Sequence, residues 1–309
     1  MIPKCICCGA DEVACVGTIP PFIIFSGQLL NKPIAGGQLF CCHKCGMSFR
    51  YPRLDKEKLD ALYLQGNPEN WQDDPSARED WQIARQWIMQ HLPVDCKILD
   101  VGCFDGGFLK TFETSYGRFG IEIHEAAGQR AHAAEIQIIG RDFANINVAK
   151  SNFDAVTSFD VIEHTQNPLD FLKDMVNMTR EGGYVIVSTG NSDAFTWKMI
   201  GARYWYCSIG EHMSFINPRW CEWACNQLGL ELKQVIKFSH VRSSWKQRVG
   251  DVVKNLLYAA TPGGFSILRQ IGMGGDEFRT HKEMLRHPPN WMSAKDHFIC
   301  IFKKRCTEN

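Results

Sequence analysis

Apolar positions change period several times along the chain, and the changes mark strands alternating with helices. Ser76-Ala77-Arg78-Glu79 reads as a capping box. It opens a helix with Trp81, Ala84, Trp87, Ile88 and His91 on one face, ended by Pro93. Lys97-Ile98-Leu99-Asp100-Val101 reads as a buried strand that runs into the turn Gly102-Cys103-Phe104-Asp105-Gly106-Gly107. Phe108, Leu109 and Phe112 predict the start of the next helix. A second strand over 119–123 ends beside Glu122, an alanine-rich helix covers 124–135, and a third strand over 136–139 leads to Arg141-Asp142. A fourth strand covers 154–159. Asn167 caps a helix with Pro168 in its first turn and Leu169, Leu172, Met175 and Val176 as its stripe. Gly182-Gly183 is expected to close it before a fifth strand over 184–188. Asn217-Pro218 opens a further helix closed near Gly229, and strands near 230–236 and 297–302 bring the total to seven. Such alternation predicts an α/β, doubly wound sheet with ligands at the carboxyl ends of its strands.

The C-terminal part differs in charge. From 236 to 309 there are 13 Lys+Arg against 6 Asp+Glu, although the whole chain has 34 of each and no net charge. Ser244-Trp245-Lys246-Gln247 resembles a capping box, and Trp245, Val249, Val252, Val253, Leu256 and Leu257 follow at helical spacing. Lys246, Arg248 and Lys254 mark the polar side. The plain expectation is a helix packed by its apolar stripe, with a solvated basic face. A basic amphipathic helix can also dock on anionic lipid or a diphosphate-linked acceptor.

At 309 residues, 45% apolar and 22% charged, the chain is globular in composition. Zero net charge argues against a protein held mainly by nucleic-acid phosphates. No run is apolar enough to span a membrane, and the first apolar stretch, Phe22-Ile23-Ile24-Phe25, is too short for a secretory signal. A cytoplasmic setting with reduced thiols is therefore expected for the 14 cysteines. Cys5-x-x-Cys8-Gly9 and Cys42-x-x-Cys45-Gly46 form two knuckles, the pattern of a closed tetrathiolate zinc site of structural kind. Cys7 and Cys41 are rival ligands whose spacing matches the glycines less well.

The glycine turn after the first strand points to a nucleotide-like ligand. A dinucleotide pyrophosphate requires Gly-x-Gly-x-x-Gly, and here Phe104 stands at the middle glycine with Asp100 just before the turn. S-adenosylmethionine has no phosphate and carries an ammonium and a sulfonium. An acid near the turn then helps, Glu122 can accept from both ribose hydroxyls, and Asp142 with Phe143 is placed for the adenine.

With these residues the chain resembles the class I S-adenosylmethionine-dependent methyltransferases. The matching runs are Ile98-Leu99-Asp100-Val101-Gly102-Cys103, Gly120-Ile121-Glu122, Phe153-Asp154-Ala155-Val156, Asp160-Val161-Ile162-Glu163-His164 and Glu181-Gly182-Gly183-Tyr184-Val185, within about 80–235. Phe104 departs from the family's usual glycine. The paired Cys-x-x-Cys-Gly motifs, Glu163-His164 and Glu211-His212-x-x-Phe215 narrow the likeness. They resemble a zinc-binding subgroup associated with sugar and surface-polysaccharide biosynthesis, and sugar C-methyltransferases of antibiotic pathways. The resemblance implies a seven-stranded Rossmann-like methyltransferase sheet over 93–236, a small zinc-binding module over 1–52, linker and lid helices over 53–92, and a basic helical insertion with the last strand over 237–309. It implies cofactor contacts from Asp100, Gly102, Cys103, Phe104, Gly106, Glu122, Ile123, Asp142, Phe143 and Phe159.

A hydroxyl acceptor must lose a proton, so a base near neutrality is required. His212 is the preferred base and His164 the second, with Glu163 and Glu211 placed to orient the rings. The spacing of Asp160, Glu163 and His164 also resembles the divalent-metal site of quinone-biosynthesis O-methyltransferases. Trp197, Tyr204, Trp205 and Tyr206 are candidates for an acceptor wall, and 67–71 for a second lid. The expected reaction is O-methylation of a sugar, nucleotide-sugar or glycolipid acceptor. Alternatives are a sugar C-methyltransferase, an RNA methyltransferase gripping nucleic acid through its zinc module, and a non-catalytic adapter with the same fold. Nucleic acid is the less expected partner, and peripheral membrane contact is left open.

Overall fold

The computed structural model describes residues 2–65, 78–146, 152–241, 243–271 and 284–306. It opens with β1 (Val13–Thr18), β2 (Phe22–Phe25), β3 (Gln28–Ile34), β4 (Gln38–Cys42), β5 (Ser48–Tyr51) and α1 (Lys56–Gln65). Next come α2 (Glu79–His91), β6 (Lys97–Val101), β7 (Gly117–Ile121), α3 (Glu125–Ala133), β8 (Gln137–Gly140), β9 (Phe153–Phe159), α4 (Pro168–Met178) and β10 (Thr179–Gly190). The remaining elements are α5 (Phe195–Ile200), β11 (Ser214–Phe215), α6 (Pro218–Leu228), β12 (Leu230–Phe238), α7 (Trp245–Ala260), α8 (Pro262–Gln270) and β13 (His297–Lys304). They fall into two units. One comprises Met1–Trp71, Asn191–Phe215 and Val241–Asp296, and the other Gln72–Gly190, Ile216–His240 and His297–Asn309.

The second unit is the expected Rossmann-like sheet. Its strand order is β12-β13-β10-β9-β6-β7-β8, with β13 antiparallel to both neighbours and the other pairs parallel. Strand order reverses between β6 and β9, so a ligand crevice opens at their carboxyl ends. Ile98, Leu109, Ile136, Ile186 and Ile299 lie in one buried cluster. The Asn167 side chain accepts from Leu169 N, with Pro168 in the first turn of α4, and Gly229 (φ +66°) closes α6.

Several elements differ from expectation. After Phe108 there is one 3₁₀ turn, Leu109–Thr111, in place of a helix. The chain must return to β7 at Gly117, and Phe108, Phe112 and Tyr116 fill the short interval with ring pairs 5.3 and 5.1 Å apart. α2 begins at Glu79 without a side-chain cap, and Ser76 of the expected capping box lies outside the described residues, as does the 67–71 loop. α4 ends at Met178, and Gly182-Gly183 sit inside β10, where its register with β9 shifts between Thr179 and Tyr184.

The first unit carries a sheet ordered β1-β4-β5-β11 and a β2-β3 hairpin. The hairpin turn places both Ser26 (φ +50°) and Gly27 (φ +70°) at positive φ, the type I′ pattern. The segment 1–52, expected as a module of its own, shares this unit with 191–215 and 241–296. β11 extends the sheet, pairing Ser214 with Phe49 and Phe215 with Ser48. Trp197, Tyr204 and Tyr206 are buried in an apolar cluster with Phe215 and Trp291, so three of the four aromatics expected as an acceptor wall are core. Trp205 packs at the edge of the same cluster.

Candidate active site

In the second unit the turn after β6 has the shape of a cofactor cradle. Gly102 adopts φ +76°, and a Cβ there would lie 2.6 Å from Val161 Cγ2, so only glycine lets the turn approach the end of β9. Phe104 adopts φ +49°, the left-handed conformation that the family's usual glycine takes freely. The strain, roughly 1–2 kcal/mol, is offset by local contacts. Phe104 N donates to Glu122 Oε2 (2.8 Å), and the Arg130 guanidinium lies 5.3 Å from the Phe104 ring centre. Glu122 Oε1 accepts from His124 N (2.7 Å), so each carboxyl oxygen receives one backbone amide. Burial raises the Glu122 carboxyl above its usual range, against these amide bonds. The remaining lone pairs fit a ribose diol, and Ile123 beside it is exposed and apolar, as an adenine face requires. The residues present therefore fit S-adenosylmethionine.

Other predicted contacts divide by what their side chains reach. Asp100 is buried and accepts from Thr157 Oγ1 (2.7 Å), and burial pushes its carboxyl up to about 7. The Cys103 side chain lies in the core, and its amide donates to Ile121 O (3.2 Å). Gly106 (φ +81°) lets the turn close on Ile136, whose Cδ1 would lie 2.1 Å from an added Cβ. Asp142 caps a short turn through Ala144 N and Asn145 N, and the Phe143 ring packs edge-on against Phe171. Phe159 packs on Phe108 and Trp81.

A charged cluster at the same end of the sheet was not legible as one group. Asp80 is fully buried and takes Arg78 Nε and Nη2 on its two oxygens (3.0 and 2.7 Å) and Ser188 Oγ (2.9 Å). Arg78 Nη2 also donates to Asp160 Oδ2 (2.7 Å). Burial alone would raise the Asp160 carboxyl, but the Arg78 guanidinium holds it below the usual carboxylate range. Asp160 adopts φ +53°, and its enclosed Oδ1 has no hydrogen-bond partner among the described residues. His240 Nε2 stands 3.9 Å from Asp160 Oδ2, and the His240 and His297 rings lie 4.3 Å apart. Burial lowers the His240 imidazole, keeping it neutral near pH 7. Among the described residues Asp160 thus groups with His240 and His297, and not with Glu163 and His164 as the metal-site spacing implied. Glu163 is buried on Thr189 Oγ1 (2.8 Å), and His164 ends a 3₁₀ turn, half-buried. The signal for this cluster was the run Arg78-Glu79-Asp80-Trp81, read as a helix start.

In the first unit the sulfurs of Cys5, Cys8, Cys42 and Cys45 all lie within 4.8 Å of one another, and Cys7 and Cys41 are not in the group. Cys5 Sγ is 3.7 Å from Cys45 Sγ, and Cys8 Sγ 3.6 Å from Cys42 Sγ. A zinc tetrahedron with Zn–S of about 2.3 Å has edges of about 3.8 Å. The amides of Cys7 and Cys8 point at the Cys5 sulfur, Ala10 at Cys8 and Met47 at Cys45, while the neighbouring sulfurs and burial raise the Cys5, Cys8 and Cys45 thiols above their usual range. Gly9 (φ +69°) and Gly46 (φ +81°) turn each knuckle. The donor set has the size and chemistry of a zinc site.

His212 is in this unit as well. It is buried, with Nδ1 3.1 Å from Tyr206 O and its ring 4.2 Å from the Tyr206 ring. A carbonyl only accepts, so Nδ1 carries the hydrogen, and in the neutral ring Nε2 holds the lone pair. Glu211 accepts from Ser26 N in the β2-β3 turn. The buried Arg50 donates to Cys207 O (2.7 Å) and Ile209 O (2.9 Å), and Arg53 to Ser214 Oγ (2.6 Å). Burial lowers the Arg50 guanidinium to about 10, while Glu211 pulls it the other way. These cations fix the loop that presents His212. Nothing local in the sequence marked Arg50 or Ser26 for this task.

The profile of a family described as a methyltransferase domain matches residues 59–235. The chain belongs to this family, the S-adenosylmethionine-dependent methyltransferases. A ubiquinone biosynthesis O-methyltransferase of Parvibaculum lavamentivorans is 30% identical over 169 residues, 49% of this chain and 66% of that protein. One of Nitrosococcus oceani is 30% identical over 193 residues, 57% of this chain and 81% of that protein. A solved S-adenosylmethionine-dependent methyltransferase of Mesorhizobium loti has 14% identity and a TM-score of 0.47, over 75% of this chain and 100% of that one. Among the described residues no helix is long and apolar enough to cross a membrane.

Proposed function

We propose that this methyltransferase acts on a hydroxyl oxygen, with His212 as the general base. The observation that carries the reading is the buried His212 ring, which the Nδ1 bond to Tyr206 O (3.1 Å) holds in one orientation. The names of the relatives, O-methyltransferases of ubiquinone biosynthesis, support oxygen as the atom methylated. S-adenosylmethionine, when bound, supplies a methyl carbon activated by a sulfonium. Gly102, Phe104, Glu122 and Ile123 would hold it by the turn, the diol and the base. His212 would take the proton of the acceptor hydroxyl, leaving its oxygen able to receive the methyl group. His164 is the second candidate for this proton, with Glu163 supporting its turn. The four-cysteine site holds zinc in a structural role, since four thiolates leave no open position.

The sugar or glycan acceptor rests on the motif resemblance alone. The relatives favour a quinone precursor, whose hydroxyl sits on an aromatic ring. A phenol loses its proton near pH 10, so a neutral imidazole suffices as base. Transfer of labelled methyl to a panel of catechols, nucleotide sugars, glycolipids and RNA tests the class. Product at a hydroxyl oxygen is expected, and product at carbon or on RNA overturns it. His212→Asn should lower turnover by about 100-fold with cofactor affinity kept. Unchanged turnover removes His212 from the role.

A further inference from the structure

α7 is built the wrong way round for a packed helix. Its buried side chains are Asp251, Asn255 and Tyr258. They are satisfied by polar contacts: Asp251 Oδ2 accepts from Ser293 N (2.9 Å), Asn255 Nδ2 donates to Asp251 O (2.9 Å), and Tyr258 OH donates to Arg286 O (3.1 Å). The apolar stripe that the sequence expected inside is outside. Trp245 is 72% exposed and Val253 59%, and Val249, Val252 and Leu256 are exposed with them. At 3.6 residues per turn these five lie within an arc of about 100°. α8, which packs on α7, adds exposed Ile267 to the same unit, with exposed Ile271 just past its end. Exposed apolar residues gathered in this way mark an interaction surface.

Charge identifies the occupant. Lys246 and Arg248 flank the stripe on its two sides, and among the described residues neither makes an ion pair. Lys254, further round the polar side, pairs with Asp251 (2.7 Å), the one acidic residue of α7. A second copy of the chain docked face to face would set these cations against their equivalents. An anionic bilayer accepts both components. Acyl chains take the Val and Leu side chains, Trp245 sits at the headgroup level, and Lys246 and Arg248 meet lipid phosphates. We propose that α7 and α8 form a docking surface for an anionic lipid bilayer, with α7 lying in the plane of the headgroups. The segment lies outside the 59–235 family match, so this surface belongs to the insertion and does not depend on the acceptor assigned above.

The test is co-sedimentation with phosphatidylcholine vesicles containing about one-third phosphatidylglycerol, at low and high salt. The wild-type protein is expected to pellet at low salt and to be released by high salt or by omission of phosphatidylglycerol. Val253→Asp, and separately Lys246→Glu with Arg248→Glu, should each reduce the pelleted fraction by about tenfold or more. Exposed Met89→Asp on α2 serves as the control and should pellet like wild type. Circular dichroism confirms that each variant is folded. Wild-type protein that stays in the supernatant, or Val253→Asp that pellets equally well, overturns the proposal. So does a wild-type dimer in sedimentation velocity that Val253→Asp converts to monomer, since a second copy would then cover the face.

Discussion

Single residues decide how the cofactor turn works, and Asp100 gives the clearest test. Its carboxyl titrates near 7 in the fold, because burial penalises the charge, and near 4 in an unfolded chain. The folded state holds the proton more tightly. Stability is therefore full below about pH 4 and is lost as pH rises through 7, at no more than ~1.4 kcal/mol per pH unit. Asp100→Asn mimics the neutral form and should remove this component. Urea denaturation across that range measures it, and equal slopes for both proteins would contradict the assignment. Residue-scale reading of the sequence was strong where one residue has one conformational job. Gly102 was legible because the turn demands a positive φ there, and Phe104 was legible as an exception. That Phe104 keeps the glycine conformation was not, because its support comes from Glu122 and Arg130, which the turn's own sequence does not mention.

Elements were legible wherever the apolar period fixed both type and direction. β6 and α4 follow the predicted pattern because strand or cap signals agree with burial. α7 shows the limit. Periodicity located its stripe and Ser244 its cap, but a period does not say which side faces the protein. The polar partners of Asp251 and Tyr258, supplied by Ser293 and Arg286, decided that. The cysteine knuckles were legible in full, since spacing and glycines specify them locally. The predicted consequence is one zinc per chain, measured by elemental analysis of the purified protein. Cys8→Ser should lower zinc content and melting temperature together. Zinc-free wild type with an unchanged melting curve would contradict a structural zinc.

At the scale of the molecule, the seven strands of a doubly wound sheet followed from the alternation of elements, whereas their order and the switch point between β6 and β9 came from the structure. The partition into units did not. Arg50 reaches Cys207, and Ser26 reaches Glu211, across separations of 157 and 185 residues. No local pattern encodes such pairings, so the segment after β10 read as an aromatic wall when most of it is core. The carboxyl ends of β6 and β7 are proposed to bind S-adenosylmethionine through Glu122. Calorimetric titration with S-adenosylhomocysteine tests it without needing the acceptor. Saturable binding at one site per chain is expected, weakened about tenfold or more in Glu122→Ala. No binding by the wild-type protein, or equal binding by Glu122→Ala, would contradict it.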